Sequence, residues 1–281
     1  MHSHTWILEH LSDDDLRFLV RALVTRRDDH EHVVEVLRDK PDLVDIMLED
    51  PALFERLWGD AEALNTVSPY LFFSAALRQV RREMRGSSPT FEFDEDDSRY
   101  PVFDGAEVRA FLSDPARRHY LVELLVSFTR GYSQGQGGSP EKRTMKWRFG
   151  HLDLAALERL QTIVEPADRF AVDRRIGDLS LFMAGACVSS EAKPLIQELA
   201  RQVGIPLEGS SLRESVEALE EHGRRAYLRV SQHPIAIRTG QSALFQVLAN
   251  EIHLARKALN HLHLHYMPPL PGLAAPLMGT G

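Results

Sequence analysis

Residues 176–188 read IGDLSLFMAGACV, a stretch that is apolar on nearly every side and is interrupted only by Asp178 and Ser180. A helix that is hydrophobic all round belongs at the centre of a helical bundle. Gly177 and Gly185 let neighbouring helix backbones approach closely, which explains glycine inside a helix despite its low helix propensity. The stretch therefore predicts a buried central helix with other helices packed around it.

Two arginines directly precede this stretch and place opposite charges on one helix face. Arg174 and Arg175 lie four and three residues before Asp178, spacings at which side chains meet on a helix. A buried carboxylate must be paired, because an isolated buried charge is very unfavourable. Either the pair is structural and fixes the helix register, or one arginine is left to hold an anionic ligand at the bundle centre. Cys187 of the same stretch is expected to be a buried, unreactive thiol.

Signals for helix starts recur along the rest of the chain. Ser12 precedes three aspartates and is a predicted N-cap. Pro41 and Pro51 suit first helical positions, and Ser211 opens a capping box. Alternation typical of strands is confined to short runs within residues 90–103. The chain is therefore predicted to be all-α: a multi-helix bundle with long C-terminal helices around a central apolar helix, and at most a small β-hairpin.

Changes in composition divide the chain into four predicted regions. Residues 1–86 form an N-terminal helical part, and residues 87–103 form an acidic linker. Residues 104–266 form the C-terminal helical bundle, whose last helix is predicted to start near Thr239 and to run unbroken to the end of the bundle. Residues 267–281 form a tail rich in proline and glycine, which cannot be helical.

Composition and charge limit the classes of function. The 281 residues include 33 basic and 41 acidic side chains, which gives a net charge of −8. This balance makes nucleic acid an unfavourable partner. No apolar run reaches the ~18 residues of a membrane span, and the first ten residues lack the apolar centre of a signal peptide. The single cysteine suits a reducing compartment. We therefore expect a soluble, cytoplasmic protein.

The 13 histidines are concentrated towards the two ends of the chain. In the last helix His261 and His265 share a face, at the spacing that lets two imidazoles reach one metal ion, whereas His263 points elsewhere. No acid lies three or four residues from this pair, which favours a solvated or interfacial stripe over a metal site. If His261 and His265 lie neutral at a helix border, stability is expected to fall as the pH decreases through about 6.5.

Two glutamates lie among apolar residues of predicted helices. Glu251 falls inside the apolar arc of the last helix. It is predicted to pair with an arginine of a neighbouring helix, for which Arg174 or Arg175 would serve, and the alternative is an acid or base in a cleft. Glu123 shares a polar stripe with His119, so it is predicted to lie at a solvent-facing or partner-facing edge.

The helix that begins at Pro69 has an apolar side and an arginine side. The second side carries Arg78, Arg81, Arg82 and Arg85. Such a stripe can bind the phosphates of nucleic acid, a nucleotide or a lipid headgroup. The acidic residues 94–97 follow closely and can neutralise the stripe, and a helix with one charged side is most often simply solvated.

Residues 131–150 are rich in glycine and basic side chains. They match neither the P-loop nor the dinucleotide-binding fingerprint, because no strand precedes them and no Gly-Lys-Ser/Thr ending follows. The segment is predicted to be a long loop, either a lid over a site or a stretch without fixed structure.

The absence of catalytic motifs favours a non-catalytic function: a helical regulatory or scaffolding protein that contacts a partner protein or a second copy of itself. The alternative is an enzyme, or a protein that binds a small ligand or metal, with a polar pocket at the bundle centre. Arg174, Arg175, Asp178 and Glu251 are the residues predicted for that pocket. A nucleic-acid binder that uses the arginine stripe is the third possibility. The residues specify no cofactor and leave open whether the chain is an enzyme.

Overall fold

The structure is a computed structural model that describes residues 5–24, 26, 28–60, 63, 66–130, 146–147, 153–188, 192–204 and 211–267. Within these residues it contains 15 helices and two pairs of short antiparallel strands. The prediction of an all-α bundle with a small hairpin is confirmed.

The described helices before the first strand are α1 (Thr5–His10), α2 (Asp13–Leu23), α3 (His30–Arg38), α4 (Pro41–Leu48), α5 (Pro51–Gly59) and α6 (Pro69–Glu83). A hairpin of β1 (Thr90–Phe93) and β2 (Arg99–Val102) follows. Next come α7 (Gly105–Ser113), α8 (Pro115–Phe128) and the paired strands β3 (Thr129–Arg130) and β4 (Lys146–Trp147). The remaining helices are α9 (Leu154–Ile163), α10 (Arg169–Ala186), α11 (Lys193–Gln202), α12 (Leu212–Gln232), α13 (Pro234–Arg238), α14 (Ser242–Asn250) and α15 (Ile252–Tyr266).

The chain divides into two compact units, each built from two segments. The first unit contains Met1–Arg82 and Arg118–Arg148, and the second contains Glu83–Arg117 and Phe149–Gly281. These bounds differ from the four predicted regions, because composition does not show which elements pack together. The β1–β2 hairpin, for example, packs on α12 and α15 of the second unit instead of standing as a linker.

In the first unit, a capping box starts α2 as predicted. Ser12 Oγ accepts the Asp15 N–H at 3.1 Å, and a carboxylate oxygen of Asp15 accepts the Ser12 N–H at 2.8 Å. The second carboxylate oxygen of Asp15 accepts the N–H of Ser68, directly before α6, at 2.7 Å. Because Asp15 is fully buried, this one side chain fixes the start of α2 against the start of α6.

In the second unit, α10 is the central helix that the sequence predicts. Every residue from Ile176 to Val188 is buried, and α10 packs against α9, α12 and α15. A Cβ added to Gly177 would lie 2.6 Å from the ring of Tyr227, and one added to Gly185 would lie 2.9 Å from Cβ of Leu259. The two glycines therefore allow α12 and α15 to lie close to the central helix.

Asp178 of α10 is buried and paired with Arg174, as predicted. Its Oδ2 lies 3.7 Å from Nε of Arg174, and its Oδ1 accepts a hydrogen bond of 2.9 Å from the hydroxyl of Tyr227. Burial lowers the pKa of Arg175, and the negative charge of Asp178 partly opposes this effect. The carboxylate thus connects α10 to α12 and also partly balances two guanidinium charges.

Replacing Asp178 by asparagine is expected to lower the free energy of unfolding by about 1.5–3 kcal/mol, the usual contribution of a hydrogen bond to a charged group. The side chain of Arg174 is 32% exposed, so water still stabilises its charge in the variant. Urea denaturation measures the change. Asp168→Asn is the control, because this exposed residue at the start of α10 makes no side-chain cap bond. A loss for Asp178→Asn no larger than the control's would contradict a role in stability.

The prediction of one unbroken helix from Thr239 to the end of the bundle is wrong. Helix α14 ends at Asn250 and α15 begins at Ile252, because the backbone leaves the helical region at Glu251 (φ −117°, ψ 25°). No glycine or proline marks this break in the sequence. The predicted apolar side is nevertheless buried on both sides of the break, at Phe245 and Leu248 before it and at Ala255 and Leu259 after it.

Candidate metal centre

Two histidines and a glutamate come together in the first unit. His10 is the last residue of α1, and His119 and Glu123 lie one turn apart on α8. One ligand atom from each side chain lies within 4.8 Å of the other two. In the part of the chain that the structure describes, no other three histidine, cysteine or acidic side chains converge in this way. We call His10, His119 and Glu123 the metal triad.

The distances within the metal triad suit a small cation. Oε1 of Glu123 lies 3.4 Å from Nε2 of His10 and 3.6 Å from Nε2 of His119. Two atoms that each lie ~2.1 Å from a tetrahedral metal ion are about 3.4 Å apart. Two of the three donor separations are therefore close to those expected around one bound ion, and the two histidine nitrogens lie within 4.8 Å of each other.

Tyr70 of α6 contacts both histidines of the metal triad. Its hydroxyl lies 3.0 Å from Nδ1 of His119, and its ring stacks on that of His10 with centroids 4.9 Å apart. Tyr70 is 4% exposed, and burial raises the pKa of its hydroxyl, so the phenol is neutral at neutral pH. With a metal ion on Nε2, Nδ1 of His119 carries the proton and donates to the Tyr70 oxygen, which fixes the orientation of the imidazole.

The metal triad is accessible to solvent. The exposed side-chain fraction is 38% for His10, 31% for Glu123 and 16% for His119. Three protein ligands leave a fourth tetrahedral position for water or a small ligand, as in catalytic zinc sites. Two imidazoles and one carboxylate suit Zn²⁺ or Fe²⁺, whereas Ca²⁺ and Mg²⁺ prefer oxygen ligands alone.

Comparison of the chain with models of protein families, with curated proteins and with solved structures finds no match. Among the described residues, no helix is both long enough and apolar enough to cross a membrane.

The four residues predicted for a pocket at the bundle centre do not form one site. Arg174 and Asp178 form the ion pair described above, and Arg175 is near Asp178. Glu251 lies 3.1 Å from Nη1 of Arg117, so it pairs with an arginine of another helix as predicted, but this arginine is neither of the two that the sequence suggested. Arg117 lies far from Glu251 in the sequence, so no local pattern around the glutamate indicates this partner.

The predicted histidine pair of the last helix is stacked and makes other contacts. The rings of His261 and His265 lie with centroids 4.1 Å apart. Nε2 of His261 is 2.9 Å from Oε2 of Glu83, and Nδ1 of His265 is 2.9 Å from the carbonyl oxygen of His261. The acid that the local sequence lacks is thus supplied by Glu83, at the end of α6. These contacts provide no third nitrogen or carboxylate arranged as in the metal triad.

The predicted arginine stripe is not an outward-facing surface. Arg78 is only 4% exposed, and it lies 2.5 Å from Oδ1 of Asp45 and 3.1 Å from Oε1 of Glu49. Arg81 also pairs with Glu49, whereas Arg85 is exposed. Neutralisation of this helix by the acidic residues 94–97 was expected, but the acids that contact Arg78 and Arg81 belong to α4 and the residue after it.

Duplex DNA is expected not to bind at physiological salt. Backbone phosphates need several accessible cations along a surface, and the burial of Arg78 breaks the row that the sequence offers. The net charge of −8 opposes association further. A fluorescence-anisotropy titration with a labelled duplex measures this. A submicromolar complex whose affinity falls steeply with added salt would contradict the expectation.

The second unit contains a cleft of about 350 Å³ beside the β1–β2 hairpin. Its basic side chains are paired with acids in or beside the same cleft. Arg256 lies 2.6 Å from both Glu92 and Glu220, and Lys257 lies 3.1 Å from Glu92 and contacts Asp104. The ion pairs hold the hairpin on α12 and α15.

The predictions for Cys187 and for the loop at residues 131–150 remain. Cys187 is fully buried, and burial raises the pKa of its thiol, as expected of an unreactive cysteine. The predicted loop at residues 131–150 lies outside the described residues, except for β4.

The metal triad could be only partly predicted from the sequence. His119 and Glu123 share a helix face at a spacing that metal ligands use, and the polar stripe is visible in the sequence. His10 lies far away in the sequence, and only the fold brings α1 to α8. The one local signal was the His-x-x-x-Glu spacing, which is common on solvated helices and therefore not specific.

Proposed function

We propose that this protein binds a divalent transition-metal ion through His10, His119 and Glu123. The observation that carries the proposal is the convergence of three donor atoms within 4.8 Å of one another, on side chains that solvent can reach. Tyr70 supports it, because metal-bound histidines usually donate their second ring N–H to an oxygen. This is the ligand-binding alternative of the sequence analysis, located in the first unit instead of at the predicted bundle centre.

The open coordination position limits what the ion would do. A closed structural zinc site has four protein ligands, whereas this site offers three and leaves one position for water or a bound group. Zinc lowers the pKa of a bound water, and Fe²⁺ in a two-histidine, one-carboxylate site retains exchangeable positions. A cytoplasmic location, which the single cysteine favours, belongs to the same proposal.

The proposal is tested by titrating zinc into chelator-treated full-length protein and measuring heat and bound metal. One ion per chain is expected for the parent. His119→Ala is expected to reduce the affinity by more than about 100-fold, because loss of a direct ligand exceeds the effect of losing an outer hydrogen bond. His32→Ala is the control, because this residue of α3 is 66% exposed at its side chain. Equal affinities for the parent and His119→Ala would refute the proposal.

A double variant, His261→Gln with His265→Gln, separates the metal triad from the stacked histidine pair. Its zinc affinity is expected to equal that of the parent, because the proposed ligands are unchanged. Loss of zinc binding in this variant, with retention in His119→Ala, would place the ion on α15 and contradict the proposal.

Tyr70→Phe is expected to reduce zinc affinity by about 10–100-fold, the usual cost of losing an outer hydrogen bond to a metal-bound histidine. Phenylalanine keeps the ring that stacks on His10 and removes only the hydroxyl that faces His119. The same calorimetric titration measures the effect, and circular dichroism checks that the helices are retained. Unchanged affinity would show that Tyr70 does not orient the imidazole.

A second candidate function is the non-catalytic regulatory or scaffolding role favoured by the sequence, acting through contact with a second copy of the chain. The observation that favours it is the exposure of two apolar side chains one turn apart on α4: Leu43 is 40% exposed and Ile46 is 66% exposed. Ile46→Asp is expected to lower the mass measured by light scattering from that of a dimer to that of a monomer. A monomeric parent would exclude self-association through this face.

A further inference from the structure

The cleft beside the β1–β2 hairpin has two walls that follow from local periodicity. On the hairpin, Glu92 and Tyr100 are directly opposite each other in the antiparallel register, so their side chains lie on the same face. On α12, four lining residues recur at the spacing of one helix face: Arg213, Val216, Glu217 and Glu220. Helix α15 adds Arg256 and Lys257. The volume of about 350 Å³ lies in the range of sites for small molecules.

Two carboxylates of the cleft each use only one oxygen within the protein. Oε1 of Glu92 lies 2.6 Å from Arg256 and 3.1 Å from Lys257, and Oε2 of Glu220 lies 2.6 Å from Arg256. No described residue donates a hydrogen bond to Oε2 of Glu92 or to Oε1 of Glu220. Each carboxylate therefore retains an acceptor that a ligand can use while the internal ion pairs stay intact.

The charges of the cleft favour a cationic ligand over an anionic one. Arg256 is shared between Glu92 and Glu220, and Lys257 is shared between Glu92 and Asp104, which lies next to the cleft. Two cations therefore balance three carboxylates. The remaining charged pair, from two half-exposed side chains of α12, is balanced within itself. An anion would be repelled by the excess of carboxylates, whereas a cation would be attracted to their unused oxygens.

An aromatic and an aliphatic side chain give the cleft an apolar surface next to these carboxylates. Tyr100 is 40% exposed, and no described residue bonds its hydroxyl or stacks on its ring. Val216 lies on the α12 wall. Aromatic ring faces attract organic cations, and the same hairpin already places the guanidinium of Arg99 5.4 Å from the ring centroid of Phe93. The cleft thus combines acceptors for a cationic group with a surface for a short alkyl chain.

We propose that the cleft binds a small organic cation with a primary ammonium group, either a simple alkylamine or a molecule whose other end is a carboxylate. The ammonium group donates to the unused oxygens of Glu92 and Glu220, and the alkyl chain lies along Tyr100 and Val216. A carboxylate at the far end would bind Arg213, which uses only its Nε within the protein. The proposal does not involve the metal triad, and the two can fail separately.

The test is a saturation-transfer NMR titration of the chelator-treated full chain with pentylamine at neutral pH. Saturable binding with a Kd of about 1 mM or below is expected, a range that a well-bound ligand of this size reaches. Pentanol and pentanoate have the same chain without the positive charge and are expected not to bind. Absence of saturable pentylamine binding, or equal binding of pentanol, would overturn the proposal.

An amino acid with the ammonium group at the end of its chain, 6-aminohexanoate, separates the two sources of the cation. Tighter binding than that of pentylamine supports a ligand with a terminal carboxylate, and Arg213→Met is expected to abolish the difference. Equal or weaker binding supports a simple alkylamine. Each result keeps the ammonium group as the element that the cleft recognises.

Glu220→Gln is expected to weaken pentylamine binding about tenfold, because a charge-assisted hydrogen bond is lost while the shape of the side chain is kept. Glu198→Gln is the matched control. Glu198 also pairs with an arginine, and its side chain is 28% exposed, compared with 23% for Glu220. Equal affinities of the two variants for pentylamine would contradict the proposal.

Tyr100→Ser removes the aromatic wall and leaves every ion pair of the cleft in place. It is expected to weaken pentylamine binding at least about threefold, the contribution of a cation over an exposed aromatic ring. Phe103→Ser is the control, because this side chain is 70% exposed and lies outside the cleft. Full affinity in Tyr100→Ser would overturn the proposal even if Glu220→Gln fails to fold. Zinc titration of the same protein decides the metal triad independently.

Discussion

Replacing Arg256 by methionine is expected to lower the free energy of unfolding by about 3–5 kcal/mol, the usual cost of removing one partner from a buried ion pair. Arg256 is 6% exposed and lies 2.6 Å from both Glu92 and Glu220. Without it, Glu92 keeps its contact with Lys257, and Glu220 loses its ion pair with Arg256. The measurement is urea denaturation of the full chain at neutral pH.

The pKa shifts of Arg256 and Glu92 support the expected loss of unfolding free energy. Burial opposes the charge of Arg256, yet its hydrogen bonds to Glu92 and Glu220 raise the pKa of the guanidinium above its ordinary value. Burial likewise opposes the charge of Glu92, yet hydrogen bonds from Arg256 and Lys257 lower the pKa of the carboxyl group. Each charge is therefore maintained by its partners, and loss of one partner leaves the others in an unfavourable environment.

Two variants make the expectation specific. Arg201→Met removes a cation whose side chain is 52% exposed in its pair with Glu198, and the expected change is below about 1 kcal/mol. Combining Arg256→Met with Glu92→Gln and Glu220→Gln is expected to recover part of the lost stability, because no unpaired charge then remains. A loss for Arg256→Met no greater than that for Arg201→Met would show that this network contributes little.

The parts of the structure that the sequence predicted are those with local causes. The central position of α10 follows from its composition alone, and the pair of Arg174 and Asp178 follows from a spacing within one helix. The capping box at Ser12 is equally local. The last two involve residues within four positions of one another, where helix geometry fixes which side chains meet.

The parts that could not be predicted require two distant segments to meet. Glu251 has its partner on Arg117, a residue in another segment of the second unit, and no pattern around Glu251 indicates it. His10 and His119 likewise belong to segments separated by several helices. The sequence indicates that such polar side chains need partners, but the partner is chosen by helix packing, which hydrophobic periodicity does not determine.

The histidines of the last helix differ from the prediction in which of them is buried. His261 and His265 were expected to carry any pH dependence of stability, because they share a face near the apolar arc. In the structure His261 contacts Glu83 and His265 is exposed, whereas His263 is the residue that helix α15 buries. His263 lies 18 residues, or about five helical turns, after the buried Phe245, so helix periodicity places it on the buried side of the last helix, although it was predicted to point elsewhere.

The free energy of unfolding is therefore expected to fall as the pH decreases from about 6.5 to about 4. His263 is 9% exposed, and its Nδ1 is buried without a hydrogen bond to any described residue. Burial, and then the positive charge of Arg99, lower the pKa of His263 to about 4. The ordinary value in an unfolded chain is about 6.5. Between these values the unfolded chain binds a proton that the folded chain does not bind.

The sign and the limit of the effect follow from this difference. Above about pH 6.5 His263 is neutral in both states, so the full stability is present. Stability declines as the pH falls below that value and levels off below about 4, where both states are protonated. Each pKa unit between the two states corresponds to about 1.36 kcal/mol, so the total loss is at most about 3.4 kcal/mol.

Urea denaturation of the parent and of His263→Phe, at intervals from pH 7.5 to 4.5, measures this contribution. Phenylalanine keeps a flat ring of similar size and cannot bind a proton, so its profile is expected to be flatter than the parent's. Among the described residues, the half-buried His222 also has a pKa lowered by burial, although Glu158 lies 3.0 Å away. His222→Gln accounts for this residue separately. His261→Gln with His265→Gln is expected to keep the parent's slope. If that double variant flattens the profile and His263→Phe does not, then His261 and His265 cause the pH dependence of stability. His263 would in that case already be solvated in the folded chain.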